Sequence, residues 1–177
     1  GSAGRYEGNA VGALELNDRL STALFLNYYN EEQSHDKNKD TFLDMPQMQS
    51  FSMMNRWHYQ TPRFVSQWGV KVLTDRRTSG QTSHTLRSDA AFSPYHNDAN
   101  RVELFSKNGF ILNQDRNESI ALIVSGSYHD QQSDYADKTY DVYESNVYAS
   151  LLYETAFGKR HKLAAGLNYN WDNFEQR

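Results

Sequence analysis

Alternation of apolar and polar positions is the main signal along the chain. It is clearest over residues 20–29, 120–129 and 162–171, where side chains of one kind recur at every second position. A period of two is typical of β-strands whose two faces differ. Weaker versions of the same pattern predict five further strands, at residues 5–16, 50–60, 63–74, 101–112 and 141–155. We therefore expect an all-β fold, an antiparallel meander of about eight long strands.

The connections between these strands alternate in length. Short turns are expected at residues 17–19, 61–62, 113–118 and 158–160, and long polar loops at about 30–49, 75–100 and 131–140. Tight turns at one end and long loops at the other are typical of outer-membrane barrels, in which the long loops are extracellular. The pattern predicts that the meander is part of a transmembrane β-barrel.

The apolar positions are aliphatic in mid-strand and aromatic near the strand ends. The aromatic residues in question are Tyr28, Tyr128, Tyr153, Tyr169 and Trp171. Such aromatic girdles are found where membrane barrels meet the lipid headgroups. The alternative is a soluble β-sandwich or lipocalin-like barrel with one buried face.

The composition is also typical of an outer-membrane β-barrel. Aromatic residues reach 14 %, yet only 38 % of residues are hydrophobic and the mean hydropathy is −0.83. The formal net charge of −4 provides no field that attracts nucleic acid, so no nucleic-acid partner is expected. The absence of cysteine excludes disulfides and thiolate metal sites.

The first long loop carries oxygen-bearing side chains at alternate positions. Asp36, Asn38, Asp40 and Asp44, with the carbonyl of Phe42, follow the first part of an EF-hand-like calcium pattern. Two positions depart from it, because Thr41 replaces the glycine and Gln47 the bidentate acid. Calcium bound in this loop is one interpretation, and a hydrated acidic loop is the other.

No other motif indicates chemistry. The six histidines do not fall at metal-ligand spacing, and no nucleophile–base arrangement can be recognised, so we expect no enzyme. Arg56 and Lys71 fall out of register with their apolar neighbours and are expected to face a lumen. For the run Asp75-Arg76-Arg77 beside a long loop, one interpretation is a group that helps to bind an anionic ligand, and the favoured one is a solvated strand end.

Several segments together resemble TonB-dependent outer-membrane receptors of the Bacteroidetes type, and among them the vitamin B12 and siderophore receptors. They are Gly4–Glu7, Asn27–Tyr29, Asp40–Pro46, Met54–Trp57, Gly69–Val72, Val147–Tyr153 and His161–Leu167. The resemblance covers essentially all of residues 4–177. It implies that these strands are an internal part of a 22-stranded barrel in the cell outer membrane, with outer-membrane lipid, a small nutrient ligand and, through a missing plug, the TonB complex as partners. In some members of the vitamin B12 receptor group calcium orders extracellular loops, so the resemblance favours the calcium interpretation.

The resemblance does not determine whether the segment self-associates, closes into a small barrel or needs detergent. Gly1-Ser2-Ala3 is interpreted as an expression scar, and residues 4–177 as the barrel segment. A segment of this kind would leave strand edges unpaired, so it is expected to self-associate, to close into a small barrel or to need detergent. The functional alternative is a soluble or small membrane β-barrel that acts as a ligand-binding or adhesive module.

Overall fold

The computed structural model describes residues 4–34, 36–37, 39–81, 94–135, 138–157 and 161–177. Eight antiparallel strands lie side by side in chain order. They are β1 Arg5–Asn17, β2 Leu20–Glu31, β3 Gln47–Gln60, β4 Phe64–Gly80, β5 Pro94–Asn113, β6 Glu118–Tyr135, β7 Lys138–Phe157 and β8 His161–Gln176. The predicted all-β meander is confirmed. The expected scar at residues 1–3 lies outside the described residues.

The sheet is open. Within the described ranges β1 pairs only with β2, and β8 only with β7. Every residue of these two edge strands is exposed. Each edge therefore presents a row of backbone donors and acceptors without a strand partner.

In the part of the chain that the structure describes, no helix is long and apolar enough to cross a membrane.

Two of the predicted turns are built in the same way. The side-chain oxygen of Asn17 accepts hydrogen bonds from the backbone N–H groups of Arg19 and Leu20, at 2.9 and 3.0 Å. The side-chain oxygen of Asn113 accepts them from Asp115 and Arg116, at 2.9 and 3.2 Å. An asparagine that bonds to the backbone beyond it stabilises a tight reversal, so both hairpins are set locally. The expected turn at 158–160 lies outside the described residues.

The strands extend well into the expected long loops. Residues 131–135 belong to β6 and residues 138–140 to β7, so the predicted loop at 131–140 is wrong. β2 and β3 extend to Glu31 and from Gln47, and β4 and β5 extend to Gly80 and from Pro94, so the strands also reach into the other two expected loops. The extensions are polar and carry no hydrophobic alternation, but their backbones still pair, and Gln131 donates to the side chain of Asn97 at 2.8 Å.

Asp75, Arg76 and Arg77 are likewise not at a strand end. All three lie inside β4, where Arg77 forms a two-point ion pair with Asp75 at 2.9 Å. Arg76 lies on the opposite face and forms an ion pair with Asp98 of β5 at 3.8 Å. The expected strand terminus is therefore wrong, whereas the side chains of Arg76 and Arg77 are exposed to solvent, as expected.

Because cross-strand partners point to the same side of a sheet, the register assigns every side chain to one of two faces. On one face, here called the apolar face, a single row across the strands contains Leu24, Val70, Leu104, Val147 and Trp171. The other, here called the polar face, carries Arg56, Lys71, Glu103 and their neighbours. No hydrophobic residue in the described ranges is buried, so the apolar face is uncovered.

Charged residues on the apolar face lie only towards the strand ends. In β4 this face is free of charge from Phe64 to Thr74, in β5 from Asn100 to Phe110, and in β8 from Leu163 to Asn173. A tilted strand crosses the hydrocarbon core of a bilayer in about 9–11 residues. The uncharged stretch, here called the apolar band, has that length.

Polar side chains within the apolar band bond to one another. Asn55 donates to the hydroxyl of Thr22 at 3.1 Å and accepts from the indole N–H of Trp57 at 2.5 Å. In a second set, Ser66 donates to Asn108 at 2.7 Å and Asn108 donates to Ser106 at 2.9 Å. Polar groups that satisfy one another in this way do not require water.

Candidate functional site

The polar face carries its charges at the same depth as the apolar band. Lys71 stands between Val70 and Val72 of that band and points to the opposite side of the sheet. Its ammonium group is 3.7 Å from the carboxylate of Glu103, which is also 2.7 Å from the guanidinium of Arg101. One carboxylate is thus shared by two cations across β4 and β5, and the expectation that Lys71 lies opposite its apolar neighbours is confirmed.

Arg56 differs from these cations. No carboxylate of the described residues lies within 4.0 Å of it, and its cross-strand partners are Ala23 and Gly69, which carry no polar side chain. Its guanidinium carbon is 5.9 Å from the ring centroid of Phe25, a weak cation–π contact. Among the described residues, Arg56 therefore has no carboxylate in direct ion-pair contact.

A cavity of about 400 Å³ lies beside Arg56, between β1 and β3. The residues of the polar face that line it are Ala13, Glu15, Ser21, Ala23, Arg56 and His58. Three small side chains form its floor, and Arg56, His58 and Glu15 surround it. A concavity and a cation without an ion pair therefore coincide at this place on the polar face.

Gly69 admits a close aromatic contact next to Arg56. A Cβ atom at this position would lie 3.0 Å from Cε1 and 3.1 Å from Cζ of Phe105, and 2.5 Å from the carbonyl oxygen of Asn55. The ring of Phe105 therefore lies directly over the glycine. Any larger residue at Gly69 would displace this ring and crowd the neighbouring strand.

A larger concavity, of about 600 Å³, lies on the apolar face. Trp57 and Trp68 stack beside it, with ring centroids 5.2 Å apart and an interplanar angle of 12°. Its lining includes no charged residue and offers little to orient a polar ligand. We regard it as part of the apolar surface rather than as a chemical site.

The first long loop holds the predicted calcium ligands. The carboxylate of Asp36 accepts hydrogen bonds from the backbone N–H groups of Asp40 and Thr41, at 3.1 and 2.9 Å. The carboxylate of Asp44 accepts one from Lys37 at 2.8 Å. Thr41, in the position of the EF-hand glycine, has a φ of 73°, a conformation that costs free energy in a β-branched residue.

These contacts do not assemble a cation site by themselves. In the described ranges no three histidine or acidic side chains converge, and Asn38 lies outside those ranges. Phe42 forms a β-bridge to Gln81, and Gln47 donates to the carbonyl of Glu32 at 2.5 Å, so both hold the base of the loop. Calcium binding at Asp36, Asn38, Asp40, Phe42 and Asp44 stays a prediction.

Sequence reasoning found Arg56 but missed Glu15, His58 and Phe105 as its neighbours. Because successive side chains of a strand point to opposite faces, the sequence alone places Arg56 on the face opposite its apolar neighbours in β3. Which residues of other strands lie beside it depends on the register, which the turn chemistry sets only in part. The asparagine turn that begins at Asn17 was the one available signal, because it determines how β1 and β2 align.

Comparison with known proteins adds no assignment. No family model, curated protein or solved structure matches this chain.

Proposed function

We propose that this chain is a wall segment of a membrane-spanning β-barrel in an outer-membrane receptor of the TonB-dependent type. Such a receptor takes up a scarce small nutrient, and cobalamin or a siderophore is the ligand that the sequence resemblance favours. On this proposal the apolar face meets lipid and the polar face lines the interior of the barrel.

The observation that carries the proposal is the difference between the two faces at one depth. Uncharged side chains occupy the apolar face over the length of a membrane crossing, while Lys71, Arg101 and Glu103 occupy the polar face behind them. In membrane barrels, lipid-facing and lumen-facing residues alternate in this way. A soluble sheet would instead bury its apolar side, yet no hydrophobic residue of the described ranges is buried.

The satisfied polar groups of the apolar band support the same interpretation. Asn55, Thr22 and Trp57 form one hydrogen-bonded set, and Ser66, Asn108 and Ser106 form another. Unsatisfied polar groups cost several kcal/mol in hydrocarbon, whereas on a wetted surface they cost almost nothing. Internal pairing of this kind is what a lipid-facing surface requires.

The open edges fit a segment of a larger barrel. β1 and β8 expose strand edges 13 and 16 residues long. A closed barrel leaves no such edge, so further strands, or a second copy of the segment, are needed to complete the wall.

The test is the behaviour of the protein with and without amphiphile. Size-exclusion chromatography with light scattering is expected to show aggregates in buffer and a defined β-rich particle in nonionic detergent. The same protein is expected to float with phospholipid vesicles on a density gradient. A monodisperse 20.5 kDa monomer in buffer that does not bind vesicles would overturn the proposal and favour a soluble ligand-binding or adhesive module.

Ligand recognition needs its own assay. Cyanocobalamin and a ferric siderophore are each titrated against the detergent-solubilised protein. Saturable binding of either supports the receptor assignment, and binding of a surface glycan alone would favour an adhesive module.

A further inference from the structure

We propose that Arg56, together with His58, binds an anionic group of a small ligand, a carboxylate or a phosphate, in the cavity of the polar face. This rests on the proposed function, because it assigns a chemical class to the ligand that meets the interior of the barrel. It concerns residues that neither the resemblance nor any motif singles out as ligand contacts.

The charge balance of the neighbouring strands is the first argument. Lys71 and Arg101 share Glu103, and Arg77 has Asp75, so each of these three cations has a carboxylate within 3.7 Å. Arg56 has none within 4.0 Å among the described residues. A guanidinium held against alanine, glycine and phenylalanine neighbours has the charge and donors to bind an external anion.

The shape of the surface is the second argument. Ala13, Ala23 and Ser21 leave a depression of about 400 Å³ directly beside Arg56. The planar guanidinium presents several N–H donors in one plane, which matches the two oxygens of a carboxylate or phosphate. His58, two residues further along β3 on the same face, lines the same cavity and adds a second donor.

Glu15 makes the two sides of the cavity differ in charge. Its carboxylate lines the cavity on β1, whereas Arg56 and His58 line it on β3. An anion at Arg56 is repelled by this carboxylate, whereas a hydroxyl or ammonium group at the other end of the ligand is attracted to it. The arrangement selects an anion that carries hydrogen-bond donors away from its charge.

The same anionic chemistry also occurs in lipid headgroups. We favour a soluble ligand, because Arg56 lies on the polar face while its neighbours Asn55 and Trp57 lie in the apolar band. A lipid phosphate would approach from the apolar side and at the ends of the strands, where Arg76 and Asp98 are found.

The experiment uses NMR in nonionic detergent to follow the arginine side-chain N–H resonances and the ring resonances of His58, which lines the same cavity and still reports the affinity when Arg56 is replaced. Inorganic phosphate, then citrate, is added at constant ionic strength, and micelles doped with phosphatidylglycerol form a separate arm. Arg56→Gln removes the proposed contact, and Arg76→Gln removes the same charge from the other face as a matched control. Glu15→Gln removes the opposing carboxylate.

We expect a saturable shift of the Arg56 resonance with phosphate or citrate. Loss of charge-assisted hydrogen bonds should weaken the apparent affinity at least about tenfold in Arg56→Gln and not in Arg76→Gln. Glu15→Gln should tighten binding roughly twofold to fivefold, since a like charge is removed.

Three results would overturn the inference: parallel, non-saturable shifts of all arginines, an unchanged affinity in Arg56→Gln, or a response to the anionic lipid alone. The titration does not depend on membrane insertion. A protein that floats with vesicles but shows no saturable shift refutes this inference alone, whereas one that does not float refutes the proposed function.

Discussion

The same strands form both faces of the sheet, but the side chains on the two faces differ in polarity and charge. At Val70, Lys71 and Val72, three successive residues of β4, the side chains fall on the apolar, polar and apolar face in turn. Within the apolar band, the apolar face carries hydrophobic side chains and polar groups that satisfy one another. At the same depth the polar face carries Lys71, Glu103 and Arg101 as an ion-paired set.

The two faces of the sheet differ in charge rather than in burial. Exposed hydrophobic side chains occur all along the apolar band, and Leu104 and Leu167 are 58 % and 75 % exposed. A monomeric soluble protein seldom leaves so much contiguous apolar surface open to water.

The largest expected effect comes from a charge placed in the middle of the apolar band. Val124 and Ser125 are adjacent on β6, the first on the apolar face beside Ser106 and the second on the polar face beside Phe105. Val124→Arg should lower the free energy of unfolding in lipid vesicles by about 2–4 kcal/mol, the cost of an arginine at mid-bilayer. The measurement is a urea titration followed by tryptophan fluorescence.

The matched change is Ser125→Arg, which should cost less than about 1 kcal/mol, because a lumen side chain stays hydrated. Equal losses in Val124→Arg and Ser125→Arg would mean that the faces are not distinguished by lipid.

A methyl group added at Gly69 should be the next most damaging change. Its Cβ would lie 2.5 Å from the carbonyl oxygen of Asn55, a backbone atom that cannot move away without distorting β3. We expect Gly69→Ala to cost about 1–3 kcal/mol, as overpacking does elsewhere. The same denaturation assay reports it.

Gly12 provides the control on the other face. Nothing lies within 4 Å of the Cβ that Gly12→Ala would add, so this variant should be as stable as the parent or slightly more stable. A loss at Gly12 as large as that at Gly69 would contradict the packing described for the polar face.

The polar groups of the apolar band predict an effect of similar size that is coupled between two residues. Asn55→Ala removes the acceptor of the Trp57 indole N–H and should cost about 1–3 kcal/mol in lipid, the penalty for an unsatisfied polar group. In a Trp57→Phe background, which has no indole N–H, the cost of Asn55→Ala should shrink. A double-mutant cycle measures the difference, and additive losses would show that the bond is not needed in the membrane.

The smallest effect is expected in the loop between β2 and β3, outside both faces. Thr41→Gly should stabilise this loop by roughly 0.5–1 kcal/mol, because glycine adopts the positive φ of 73° without steric cost. Slower proteolysis of residues 32–46 would report it.

Calcium provides a second test of the same loop. If the loop binds the ion, millimolar calcium should protect it in the parent chain but not in Asp36→Asn, which lacks one carboxylate. Asp115→Asn, in the turn between β5 and β6, serves as control. Equal protection of Asp36→Asn would refute the calcium prediction.

The sequence predicted the meander well because mid-strand alternation is strong. Residues 120–129 alternate so regularly that β6 and its two faces are evident without coordinates. The distal parts of β5 and β6 were missed, because His96, Asn97 and Gln131 give no hydrophobic period, yet their backbones pair throughout. Polar strands are stabilised by partners that a single sequence does not reveal.

The candidate site was predictable only in part. The alternation of side chains along β3 and β4 places Arg56 and Lys71 on the polar face. It does not reveal that Lys71 shares Glu103 with Arg101 while Arg56 lacks a carboxylate, because that distinction depends on the register of β3, β4 and β5. Long-range register is set by many weak cross-strand contacts rather than by a local motif.

The most direct test of the central claim is a spin-label scan in lipid vesicles. The chain has no cysteine, so single cysteines can be introduced at each position of 68–74 and 120–126 without a background signal. We predict accessibility with a period of two: high to oxygen, which dissolves in lipid, at Val70, Val72, Leu122 and Val124, and high to an aqueous nickel chelate at the positions between them. Equal access of the chelate to both faces would contradict the account.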